Sequence, residues 1–128
     1  MIRPLSVEKI LWREESGRIA AAGRIPADAP FFKDHFPDFP ILPGVLALEI
    51  MKQTAEASAG RPFSLKQIRS AKFSHYLRPG DAWESRLELT EQTGGESQWT
   101  GELLHDGRVA ASARFVLGEL PKTERQSA

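Results

Sequence analysis

The chain has 128 residues, with 17 Lys and Arg against 17 Asp and Glu, three His and no Cys. That length fits one domain able to bury its own core, and 41% hydrophobic with 27% charged residues excludes disorder of the whole chain. Charge balance argues against nucleic acid as the main partner, the lack of cysteine excludes a disulfide scaffold, a Cys-based zinc site and a thiol nucleophile, and no apolar run approaches the roughly 20 residues that span a bilayer. The opening MIRPLSVEKILWREE is too charged for a signal peptide, so a soluble cytoplasmic protein is expected.

Residues 7–14 and 18–25 read as two strands about a turn at Ser16-Gly17. Prolines recur through 26–43 and exclude regular structure there. Residues 44–58 spell a proline-free helix that Gly60-Arg61-Pro62 ends. Its first half holds Val45, Leu46, Ala47, Leu48, Ile50 and Met51, apolar on most sides as in a buried helix.

From Phe63 the hydrophobic period becomes two. Phe63–Ser74 is a strand, and Arg78-Pro79-Gly80-Asp81 has the residues of a type II turn. Trp83, Ser85, Leu87 and Leu89 then alternate with Glu84, Arg86, Glu88 and Thr90. Turns at Thr93-Gly94-Gly95 and His105-Asp106-Gly107 bound a strand over 96–104. Val109, Ala111, Ala113, Phe115 and Leu117 line one face of a last strand. The order predicts an α+β fold, with an antiparallel sheet of about six strands wrapped around one central helix. The domain is expected to span 1–117, with a polar C-terminal tail over 118–128.

The stretch Ala29–Gln53 does not read as scaffold. His35 lies in a proline-set loop among Phe31, Phe32, Phe36 and Phe39. Apolar neighbours tend to keep an imidazole neutral and able to accept a proton near pH 7; a loop histidine bonded to backbone fits the same residues. Gly44 opens the helix directly after Pro43. The unpaired N–H groups and dipole at that end would polarise a carbonyl, as in an oxyanion hole; a glycine that merely starts a helix is the plainer reading. Glu49 sits between Leu48 and Ile50, and burial would keep it protonated as a proton donor. Periodicity alone instead favours a solvated stripe of Glu49, Lys52, Gln53 and Glu56. A base, a polarised carbonyl and an acid together suit elimination of water from a β-hydroxy carbonyl compound. Asp34 and Asp38 lie too close to His35 in sequence to converge with it on a metal.

The segment PFFKDHFPDFPILPGVLALEIMKQ closely resembles the signature of the FabZ-type β-hydroxyacyl-acyl carrier protein dehydratases, a pattern of the form PFF-x-GHFP-x-xP-x-xPGVL-x-xE-x-x-x-Q. The shared positions are Pro30, Phe31, Phe32, His35, Phe36, Pro37, Pro40, Pro43, Gly44, Val45, Leu46, Glu49 and Gln53. The segment IRSAKFSHYLRPGD resembles the family's strand and PGD turn, and the likeness runs from about residue 18 to 117. It implies the hotdog fold, and a homodimer in which two sheets join side by side; trimers of dimers occur among the relatives. It implies His35 as general base facing Glu49 of the partner subunit, Glu49 as general acid directly or through a water, and the Gly44 N–H as donor to the thioester carbonyl. Phe32, Phe36, Pro37, Pro43, Val45, Leu46 and Gln53 would shape the substrate tunnel and support the site. The implied substrate is a β-hydroxyacyl thioester on the phosphopantetheine of an acyl carrier protein, with no metal or organic cofactor. Three departures stand out. Asp34 replaces the family's glycine, Lys52 its alanine, and the segment before His35 is shorter than usual, as in accessory dehydratases of aryl polyene and polyketide-like pathways.

Residues 57–80 carry Arg61, Lys66, Arg69, Lys72 and Arg78 and no acid, whereas 81–106 carry seven carboxylates against Arg86 alone. Arg69, Lys72 and Arg78 are candidates for docking an acidic carrier protein; ordinary solvated strand faces are the alternative. Two other functions remain open: a hotdog thioesterase using the helix carboxylate with water, and a non-catalytic acyl-binding module. No G-x-S-x-G motif occurs, and His75 and His105 read as structural.

Overall fold

The computed structural model describes residues 6–27 and 44–120. Strands β1 (Lys9–Arg13) and β2 (Arg18–Arg24) precede helix α1 (Gly44–Ala59). Strands β3 (Phe63–Phe73), β4 (Ala82–Thr93), β5 (Glu96–His105) and β6 (Arg108–Glu119) follow. They form one sheet in the order β1-β2-β4-β5-β6-β3, antiparallel throughout. The connection through α1 thus carries the chain from one side of the sheet to its far edge.

The helix packs against β2, β3, β4, β5 and β6. A sheet that meets one helix with five of its strands is wrapped around it, which is the hotdog arrangement. Ile50, Met51 and Ala55 face Ile19, Trp83, Leu87, Leu103, Phe115 and Leu117 in one apolar core. Two close approaches need small residues. A Cβ on Gly101 would meet Leu87 and the Met51 sulfur, and one on Gly23 would meet the Trp83 ring. The helix is too short to cross a membrane.

Turn chemistry follows the sequence closely. Asp106 and Gly107, both at positive φ, make the two-residue hairpin between β5 and β6. Gly80 has φ 86 in the Arg78–Asp81 turn, where the Asp81 N–H donates to the Arg78 carbonyl at 3.0 Å.

Three expectations are corrected. Val109 does not share the buried face of Ala111, Ala113, Phe115 and Leu117; it is 37% exposed. The register slips between Leu103 and Leu104, leaving Ala110 as the extra residue, and one inserted residue reverses the facing of those beyond it. The helix is not buried all round either, since Val45 is 69% exposed. Finally, β6 runs on to Glu119, whose carboxylate pairs with Arg61 at 2.8 Å, past the end that the alternation suggested.

Candidate active site

Gly44 is the first residue of α1, so its N–H belongs to the group left without an intrahelical partner. No acidic residue lies in that first turn to offset the positive end of the dipole. Gly44 and Ala47 form one wall of a cavity of about 290 Å³. Phe73, Leu77, Leu103, Ala110 and Ala111 supply most of the rest, with His75 and Tyr76 at its polar side. A Cβ on Gly44 would lie 2.9 Å from Phe73 Cζ. The glycine is therefore dictated by aromatic packing as well as by any ligand that approaches the backbone.

Glu49 does not line this cavity. Five residues along a helix turn a side chain by about 140° from Gly44, whereas Ala47 lies about 60° away. Glu49 instead shares a stripe with Lys52, Gln53 and Glu56. Lys52 Nζ lies 3.6 Å from Glu49 Oε1 and 3.3 Å from Glu56 Oε2. Gln53 Nε2 donates to Glu49 Oε1 at 3.3 Å, and Glu56 Oε2 accepts the Phe63 N–H at 2.9 Å. The stripe read from the sequence exists, but it is not solvated: Gln53 is buried, and the Lys52 and Glu56 side chains are 17% and 12% exposed. Glu49 is the open end of it, beside exposed Val45 one turn earlier. Leu46 is half-buried against the core.

Phe32, His35, Phe36, Pro37 and Pro43 lie outside the described residues, as does Asp34. The point from which the chain enters their segment is nevertheless held firmly. The Ile25 N–H donates to the Asp81 carbonyl, and the Gly80 N–H to the Ile25 carbonyl, both at 2.8 Å. Arg24 Nη1 donates to the Gly80 carbonyl at 2.7 Å. The PGD turn thus clamps the end of β2.

A second cavity, of about 580 Å³, shares His75 and Tyr76 with the first. Arg78, Asp81, His105 and Arg108 face it. Arg108 Nε donates to His75 Nε2 at 2.8 Å, and Arg108 Nη2 lies 3.4 Å from His75 Nδ1. His105 Nδ1–H donates to the Ala82 carbonyl at 2.6 Å, which ties the Asp-Gly hairpin to the start of β4. Arg69 and Lys72 are on β3 and do not line this cavity; of the three suggested docking cations only Arg78 does. Sequence reasoning read His75 as structural and passed over Phe73 and Arg108. The segment KFSHYLRPGD contains the first two, but Arg108 reaches them only through strand pairing. Among the described residues no three His, Asp or Glu side chains gather as a metal site.

The sequence pattern of the ApeI dehydratase family matches residues 11–113. The chain is 30% identical over 119 residues to the 3-hydroxyacyl-[acyl-carrier-protein] dehydratase FabZ of Oceanobacillus iheyensis, covering 88% of this chain and 85% of that one. The dehydratase heterocomplex ApeI:P from Xenorhabdus doucetiae has a similar fold, with a TM-score of 0.78 at 19% identity over 96% of this chain and 88% of that one. A hypothetical thioesterase of Streptococcus pneumoniae, solved with coenzyme A, shares the fold with a TM-score of 0.64 at 13% identity, covering 86% of each chain. The chain belongs to the ApeI-like dehydratase family.

Proposed function

We propose that this protein is a 3-hydroxyacyl-[acyl carrier protein] dehydratase acting as a homodimer. His35 removes the α-proton of a (3R)-hydroxyacyl thioester. The electron pair forms the Cα–Cβ double bond, and Glu49 protonates the departing β-hydroxyl, which leaves as water. The Gly44 N–H stabilises negative charge on the thioester oxygen meanwhile. The observation that carries this reading is the family match over residues 11–113, within which His35, Gly44 and Glu49 all stand in the motif.

Two structural facts support a site shared between protomers. Gly44 and Glu49 point to different sides of α1, so a substrate lying against Gly44 needs its acid from another chain. The edge strand β3 is exposed along nearly all its length and offers Leu65, Ile68 and Phe73 at 41–44% exposure. Such an edge invites pairing with a second copy. Arg69 and Lys72, both on β3, then meet the acidic carrier's surface.

The test is ultraviolet absorbance with a medium-chain (3R)-hydroxyacyl carrier thioester. Wild type forms the enoyl thioester, while His35→Ala and Glu49→Gln lose about 100-fold or more, the scale of acid–base contributions. Release of free thiol with no enoyl product would identify a thioesterase instead.

A further inference from the structure

The polar cavity beside the apolar one has no part in the elimination chemistry, yet its composition is unusual. It holds two guanidiniums, those of Arg78 and Arg108, and no described ion pair includes either. Two carboxylates, Asp81 and Asp106, line it as well. Asp81 accepts the Arg78 backbone N–H at 2.8 Å and faces His105 Nε2 at 3.7 Å. Asp106 occupies the tight hairpin turn. Arg108 is aimed by a histidine rather than neutralised by an acid: its Nε–H is given to His75 Nε2 and its Nη2 lies 3.4 Å from His75 Nδ1, so Nη1 is the terminal nitrogen with no described partner. The His75 and Tyr76 side chains form the boundary with the apolar cavity that Gly44 borders.

An anion seated between two guanidiniums, joined to an uncharged stretch that continues toward Gly44, describes a phosphate ester on a long thioester arm. We propose that Arg78 and Arg108 bind the phosphate of the substrate's phosphopantetheine arm, and that His75 is a positioning residue that orients Arg108. The identity of the ligand rests on the dehydratase reading. The same phosphate chemistry is offered by a carrier protein and by coenzyme A.

The experiment compares one 3-hydroxyacyl group on three supports: the carrier protein, coenzyme A, and N-acetylcysteamine, which has no phosphate. In the full-length enzyme, Arg78→Gln with Arg108→Gln is expected to lower kcat/KM at least tenfold on both phosphate-bearing substrates, chiefly through KM. Turnover of the N-acetylcysteamine thioester should change less than twofold. His75→Leu should reproduce part of the KM effect, and His75→Gln, whose amide oxygen again accepts from Arg108, should restore it. Arg114→Gln, on a different cavity, serves as the charge control. Equal losses on all three substrates overturn the proposal, because the arginines would then serve the fold or the chemistry. Loss on the carrier substrate alone also overturns it, assigning them to the carrier's protein surface. Calorimetric binding of 4′-phosphopantetheine separates this from failure of the dehydratase reading. Wild type should bind it and the double variant should not, whatever the turnover; no binding by wild type rejects the phosphate site.

Discussion

At Gly44 a methyl group is enough to disturb the site. Its Cβ would stand 2.9 Å from the tip of the Phe73 ring, and that ring lines the apolar cavity. Gly44→Ala is expected to cost about 1–3 kcal/mol by overpacking, read as a shifted midpoint in denaturant unfolding. Adding Phe73→Leu should return most of that stability; failure of the second change to do so would refute the steric account. Lys52 is the second informative residue, because it departs from the family pattern. Its ammonium lies between Glu49 and Glu56 with a side chain only 17% exposed. Lys52→Met keeps the apolar stem and removes the charge, leaving two carboxylates facing each other. It should destabilise by about 1 kcal/mol at low salt and by less at high salt; an unchanged unfolding midpoint at low salt would contradict the pairing. Ser85 is the third. It is fully buried on β4 with no hydrogen-bond partner among the described residues. Ser85→Ala should stabilise by about 1 kcal/mol, since a buried unpaired hydroxyl carries an uncompensated desolvation cost.

At the scale of elements, much was legible in the sequence. Proline and glycine marked the turns, and alternation marked β4 and β5. The misreadings have physical causes. Val109 fails because a bulge is a pairing event between two strands, and alternation within one strand carries no trace of it. The stripe on α1 fails because helical periodicity places Glu49, Lys52, Gln53 and Glu56 on one side of the helix without saying what covers that side. The surrounding chain covers Gln53 and most of Glu56 and leaves Glu49 open. The local motif placed Gly44 at the start of α1 and Glu49 on it, as the structure has them, whereas a contact made across the sheet, such as Arg108 meeting His75, leaves no local signal in the sequence. The two exposed edges also differ. β3 is eleven residues long and bears Leu65, Ile68 and Phe73, whereas β1 is five residues long. Leu65→Lys, on the long edge, is therefore expected to shift the protein from dimer to monomer in light scattering and to abolish turnover in proportion. A monomeric wild type, or an active monomeric variant, would rule out the edge as the functional interface.

For the molecule as a whole, the geometry separates the functions that one substrate must meet. Gly44 opens onto the apolar cavity, the Arg78 and Arg108 guanidiniums lie beyond His75 and Tyr76, and Glu49 faces outward on the other side of α1. On the proposed reading one protomer holds parts of two sites and the whole of neither, and catalysis is a property of the pair. That claim is tested most directly by mixing two impaired variants, His35→Ala and Glu49→Gln, under conditions that exchange subunits. Alone, each is expected to form enoyl thioester about 100-fold or more slowly than wild type. A mixed dimer would unite an intact His35 with an intact Glu49 in one of its two sites, so equal mixing should recover about a quarter of wild-type turnover. No recovery despite demonstrated exchange, or full enoyl formation by either variant alone, would contradict the shared site.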